Sequence, residues 1–178
     1  MESVTSEDRR ERFEALAPAV IDAVRRYLAR RTDPATADDV LSETLLICWR
    51  RLDEMPGEYL PWAYGVARRC LANAERAQRR QMRLAVRIAA VDDFVVRPPE
   101  AADDELATAM AGLRGEDAEI LRLWAWEDLA PAQIAAVLGI TANAASIRLH
   151  RAKQRLRDEL RKTGAGAGHE ESTEGRRP

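Results

Sequence analysis

Apolar side chains recur along this chain at steps of three and four residues, the spacing of one buried helical face. No segment alternates as a half-buried strand would. Phe13, Leu16, Val20, Val24, Tyr27 and Leu28 form the first stripe and predict a helix over about 8–31. Pro18 lies inside it and is expected to kink or split it, because proline removes a helical N–H. Thr32-Asp33-Pro34 reads as a stop and a restart, with Asp33 placed to cap the next helix and Pro34 suited to its first turn. Over 34–52 the pattern is cleanest. Ala37, Val40, Leu41, Thr44, Leu45, Cys48, Trp49 and Leu52 share a face, while Asp38, Asp39, Ser42 and Glu43 fall elsewhere. Met55-Pro56-Gly57 marks a turn. A third helix is predicted from about Pro61 to Ala90, with Trp62, Val66, Cys70 and Asn73 in its first half and a run rich in Arg and Gln after them.

Periodicity stops between Asp92 and Asp104, where Arg97-Pro98-Pro99 stands among a cluster of acids. Beyond it, Leu106, Met110 and Leu113 form one short stripe, and Ala118, Leu121 and Trp124 another. A short helix over 131–138, a turn at Gly139-Ile140 and a long helix from Ala142 to about Lys162 complete the pattern. Ala145, Leu149, Ala152, Leu156 and Leu160 are the expected inner stripe of that last helix. The predicted fold class is therefore all-α: two small helical domains joined by a flexible acidic linker, the C-terminal one a helix-turn-helix. The expected boundaries are a flexible N-terminus at 1–9, a first domain at 10–90, the linker at 91–104, a second domain at 105–162 and a disordered tail at 163–178.

The net charge is only −2 over 178 residues, which by itself argues against a nucleic-acid partner. Its distribution reverses that reading. Residues 64–91 carry seven basic and one acidic side chains, residues 92–119 two basic and nine acidic, and residues 148–162 seven basic and two acidic. Two basic blocks separated by an acidic one is the pattern of a chain that touches phosphates at two places. The only cysteines, Cys48 and Cys70, stand among apolar helical positions and are read as buried small hydrophobes in a reducing compartment, not as a disulfide or metal site. The first residues are charged and lack the apolar core of a secretory signal, and no stretch reaches membrane-spanning length; the expected location is cytoplasmic, without membrane insertion.

Residues 129–161 carry the clearest local physics. Ala135 is small where two helices would cross closely, Gly139 permits a left-handed turn, and Thr141 is a good N-cap for the second helix. That helix would enter a major groove by its N-terminal turns, offering Thr141, Asn143, Ala144, Ser146 and Arg148, with His150, Arg151 and Lys153 extending the basic surface. The alternative for the segment alone is a plain helical hairpin with a solvated charged face.

Over about residues 10–162 the chain resembles the extracytoplasmic-function (ECF) class of bacterial RNA polymerase sigma factors. The resemblance rests on three stretches in order: DPATADDVLSETLLICWRRLD at 33–53, PWAYGVARRCLANAERAQRR at 61–80, and GITANAASIRLHRAKQRLR at 139–157. It implies that the helix bearing Asp38, Asp39, Val40, Glu43, Thr44, Leu45 and Trp49 docks on the clamp helices of the largest subunit of the polymerase core. It implies that residues 61–83 bind the promoter −10 element through Arg68, Arg69, Arg76, Arg79, Arg80 and Arg83. Trp62 and Tyr64 are the stacking candidates there, and a base pocket falls at 53–60 near Asn73. Trp62 also reads as core. The segment at 139–157 would read the −35 element. The linker would thread toward the active-site and RNA-exit channel, and an anti-sigma factor is the expected inhibitor of an otherwise monomeric chain. This sequence departs from the family pattern at Asn73, where Asp is common. It departs again at Ala144-Ala145-Ser146-Ile147, where Thr-Val-Lys-Ser is common, so its −35 preference is expected to be unusual.

An enzyme is not expected. His150 and His169 are the only histidines, neither stands in a nucleophile arrangement, and no phosphate-binding glycine loop occurs. Asp39 and Glu43 lie one turn apart, but without further ligands they read as a solvated face, and neither a metal nor a cofactor is expected. Two rival readings stand: a helix-turn-helix regulator that does not engage polymerase, and a degenerate sigma-like interaction protein that does not initiate transcription.

Overall fold

The computed structural model describes residues 6–88 and 105–167, with side chains for 6–84 and 105–162; the expected linker at 91–104 lies outside them. Every regular element among the described residues is helical. The helices are α1 (Ser6–Ala29), α2 (Pro34–Arg50), α3 (Tyr59–Ile88), α4 (Glu105–Ala111), α5 (Gly115–Ala125), α6 (Pro131–Leu138) and α7 (Ala142–Ala167), with a 3-10 turn at Leu52–Glu54. The chain divides into two compact units, one built on α1–α3 and one on α4, α5 and α7; residues 135–140 belong with the first. No single described helix is long and apolar enough to cross a membrane.

In the first unit the three predicted stripes meet. Val20, Val24, Tyr27 and Leu28 of α1, Val40, Leu41 and Cys48 of α2, and Val66, Ala67 and Cys70 of α3 are buried together with Leu52 and Met55. Each such large side chain contributes about 1.5–3 kcal/mol by leaving water, so Leu28→Ala in this core costs about 2–5 kcal/mol. Of the two outcomes expected at Pro18, the split does not occur: α1 runs from Ser6 to Ala29 through it. Pro18 is exposed, so its ring faces solvent instead of straining the packed side.

Capping explains where α2 begins and ends. Asp33 accepts from the Thr36 backbone N–H at 3.0 Å and from its hydroxyl at 2.6 Å, and these bonds hold its carboxyl below the usual range. At the other end, the Arg9 guanidinium donates to the carbonyls of Trp49 at 2.9 Å and Arg50 at 3.1 Å and pairs with Asp53 at 3.2 Å. It thereby satisfies carbonyls that the helix leaves open. Phe13 meets the Trp49 ring edge-on at 5.3 Å, closing the same corner.

In the second unit α4 and α5 pack on α7. Ala109, Ala118, Ile120, Leu121, Leu123, Ala145, Leu149 and Ala152 are buried. Two expected core residues are not: Leu106 and Trp124 are exposed, and Ala109, Ile120 and Leu123 take the inner positions instead. Asp117, in the first turn of α5, is buried and accepts from Arg155 of α7, which fixes the two helices to each other.

Candidate nucleic-acid interface

The turn between α6 and α7 is built from local preferences. Ala130 N–H donates to the Gln133 side chain at 2.9 Å, which closes the start of α6. Gly139 adopts φ +68°, a left-handed conformation that ends α6 without a Cβ penalty. Thr141 Oγ1 then accepts from Ala144 N–H at 3.1 Å and starts α7. A short helix, a left-handed glycine and a capped second helix are the local elements of a helix-turn-helix. Ala145 is fully buried on the inner face of α7, so the opposite face must point outward.

Asn143, Ser146, Arg148, His150 and Arg151 are all exposed, with Asn143, His150 and Arg151 on that outward side and Ser146 and Arg148 at its flanks. Three other candidates are used differently. The Thr141 hydroxyl oxygen serves the helix cap, Ala144 is half-buried, and the Lys153 ammonium lies 3.4 Å from the centre of the Trp124 ring. Ile147, 44 % exposed, stands in the middle of the face and was absent from the sequence candidates. Its signal was available: it falls about 160° round the helix from Ala145, counted at 3.6 residues per turn.

α3 presents the second basic surface. Arg68, Arg69, Arg76, Arg79, Arg80 and Arg83 are all exposed. They lie opposite the buried Ala63, Ala67 and Cys70 and follow one side of the helix for about 22 Å at 1.5 Å per residue. Arg76 donates to Asn73 Oδ1 at 2.5 Å, and Arg79 pairs with Glu75 at 3.7 Å. The two aromatic candidates part company. Tyr64 is buried with its ring 5.5 Å from that of Tyr27, so it belongs to the core and offers no face to a base. Trp62 is half-buried beneath the Arg51 guanidinium, 5.7 Å from its ring centre.

The acidic face of α2 needs a similar correction. Asp38, Asp39 and Glu43 are exposed, and Leu45 and Trp49 are half-buried. Val40 and Thr44 are buried, and the Thr44 hydroxyl donates to the Val40 carbonyl at 2.7 Å. Neither can touch a partner while the core is closed. Leu46, which the sequence reading passed over, is 46 % exposed on the acidic side. The thiols behind this helix are free and buried. Burial pushes Cys48 up to about 11, helped by neighbouring Cys70, and raises Cys70 as well. Among the described residues no group of three or more His, Cys, Asp or Glu could hold a metal ion.

Two family models match in chain order: sigma-70 region 2 over residues 12–81 and sigma-70 region 4 over residues 103–156. The chain is 30 % identical over 152 residues to the ECF RNA polymerase sigma factor SigL of Mycobacterium tuberculosis, covering 78 % of this chain and 83 % of SigL. The chain belongs to the ECF sigma factors. It is also 32 % identical over 146 residues to the probable RNA polymerase sigma factor RfaY of Xanthomonas campestris pv. campestris. That match covers 75 % of this chain, which spans only 36 % of the length of RfaY. The fold is also that of two solved structures: the sigma factor RpoE in complex with the anti-sigma factor NepR from Bartonella quintana, and CnrH in complex with the cytosolic domain of CnrY. The TM-scores are 0.57 and 0.54, at 19 % identity each, covering 84 % and 89 % of this chain and 96 % and 90 % of those chains. The α3 arginine row lies within the region 2 match up to residue 81, and the α6–α7 pair lies within the region 4 match up to residue 156. The sigma factor family is not an enzyme family.

Proposed function

We propose that this ECF sigma factor joins RNA polymerase core through the outer face of α2 and reads a promoter with α3 and α7. The observation that carries the proposal is the pairing of two exposed basic helices, one in each matched family region, with an acidic helix in the first. Asp38, Asp39 and Glu43 surround exposed Leu46, which suits a basic partner helix: charge steers the approach and the leucine supplies area that leaves water. The α3 arginines would neutralise phosphates of the −10 element, and the outward face of α7 would dock in the major groove at the −35 element. Work on polymerase core and promoter DNA would put the chain in the cytoplasm, acting by binding and not by catalysis.

One solved structure of the same fold, the sigma factor RpoE, is bound to the anti-sigma factor NepR, and this supports the same control here. An inhibitor would act by covering the α2, α3 or α7 surface. The test is holoenzyme formation. Purified chain mixed with core polymerase is expected to co-elute with it on gel filtration. Asp39→Lys combined with Glu43→Lys should weaken that association at least tenfold while leaving helix content unchanged, because both side chains are exposed. Co-elution unaffected by the double reversal refutes the docking surface; no co-elution of the wild type refutes the sigma reading.

A further inference from the structure

The outward face of α7 contains one side chain that a phosphate-binding surface does not call for. Ile147 is 44 % exposed in the second turn, with exposed Asn143 one turn before it and exposed Arg151 one turn after. Two polar groups of the same two turns have local commitments: Thr141 Oγ1 accepts from Ala144 N–H, and the Ser146 hydroxyl donates to the Ala142 carbonyl at 3.0 Å. Ile147 is not part of the core, since Ala145, Leu149 and Ala152 fill the inner face. Helix propensity does not account for it either, because β-branched residues are weaker helix formers than the Ala used at 142, 144 and 145.

An aliphatic side chain in a major groove makes no hydrogen bond, but it can cover the C5-methyl group of thymine. We infer that Ile147 is a specificity-determining residue that reads one thymine methyl in the −35 element. This rests on the sigma reading above and sharpens it, since it names a base feature the promoter must contain. Excluding one methyl from water corresponds to about a fourfold change in affinity.

The experiment uses holoenzyme and a promoter enriched by wild-type holoenzyme from a randomised library. Each thymine of the upstream element is replaced in turn by deoxyuridine, which lacks only the methyl group. The wild type is expected to lose about fourfold in affinity at one position. Ile147→Ala holoenzyme should bind the unmodified promoter about fourfold more weakly and become indifferent to uracil at that position alone. Ile147→Val should keep most of the discrimination. Ile147 is exposed, so circular dichroism of the Ala variant should match the wild type. An upstream element with no methyl-sensitive thymine, or a sensitivity that survives Ile147→Ala, overturns the inference while leaving the sigma reading intact. Failure of the wild type to form holoenzyme or to enrich any upstream element overturns the sigma reading itself, and this inference with it.

Discussion

Removing Arg155 should loosen the anchor of the recognition helix by a predictable amount. Its guanidinium binds Asp117, whose side chain is 12 % exposed, while that of Arg155 is 49 % exposed. A fully buried pair costs about 3–5 kcal/mol to break from one side, because a charge is left stranded. A fully exposed pair is worth only about 0.2–1 kcal/mol. This pair lies between those limits, with the carboxylate dry and the guanidinium half-wet, so Arg155→Ala should cost about 2 kcal/mol. Asp117→Ala should cost a similar amount, since it removes the pair and also an acid that favours the N-terminus of α5. The double variant should cost little more than either single one, giving a coupling of about 1.5–2 kcal/mol in a double-mutant cycle. Urea unfolding followed by tryptophan fluorescence measures it. In a background lacking Trp49 and Trp62, the signal comes from Trp124 and Trp126, on and just after α5. A coupling below about 0.5 kcal/mol, the value of an exposed pair, would falsify the claim that this contact holds α5 to α7.

Backbone conformation gives two opposed predictions. Asp128 has φ +51° and Gly139 φ +68°, so Asp128→Gly should raise stability by about 0.5–1 kcal/mol and Gly139→Ala should lower it by about 1 kcal/mol, both read as shifts in melting temperature. Open space around Gly139 means that its cost would be backbone strain alone. The Cys48 thiol, held at about 11 against an ordinary 9.0, keeps its proton in the folded chain where the unfolded chain loses it. Stability should therefore fall as pH rises from 9 toward 11, and Cys48→Ala should flatten that slope in a pH series of denaturation curves. If the α3 arginines meet phosphates, Arg76→Ala combined with Arg80→Ala should reduce the logarithmic salt slope of holoenzyme–promoter binding by about 2; an unchanged slope takes those two residues off the DNA.

The helices were legible because their boundaries are set by short-range chemistry. Asp33-Pro34, Gly139 and Thr141 act on neighbours three or four residues away, and the stripes of α1 and α2 name their own buried faces. What the sequence concealed was decided by tertiary packing. Tyr64 and Trp62 are both aromatic and adjacent in function by resemblance, yet only contact with Tyr27 puts Tyr64 in the core. Val40 and Thr44 fell among the docking candidates by resemblance alone, although the spacing of α2 already set them on its apolar face. Trp124 looked like core by size and spacing, but at 42 % exposure it lies under Lys153, removing that lysine from the set of freely offered cations. Leu46 was missed for the converse reason: an apolar side chain on an outward face carries no charge to mark it, and Ile147 stood out in the sequence only as a departure from the family pattern.

A sigma factor of this kind should convert core polymerase into an enzyme that starts at chosen sites. Run-off transcription measures this most directly, using core polymerase, the purified chain and templates from a promoter library. A defined transcript is expected from a subset of templates only when the chain is present, and it should be lost when Asp39→Lys and Glu43→Lys are combined. Holoenzyme that binds promoter fragments yet yields no transcript would contradict the account and leave a DNA-reading protein that does not initiate.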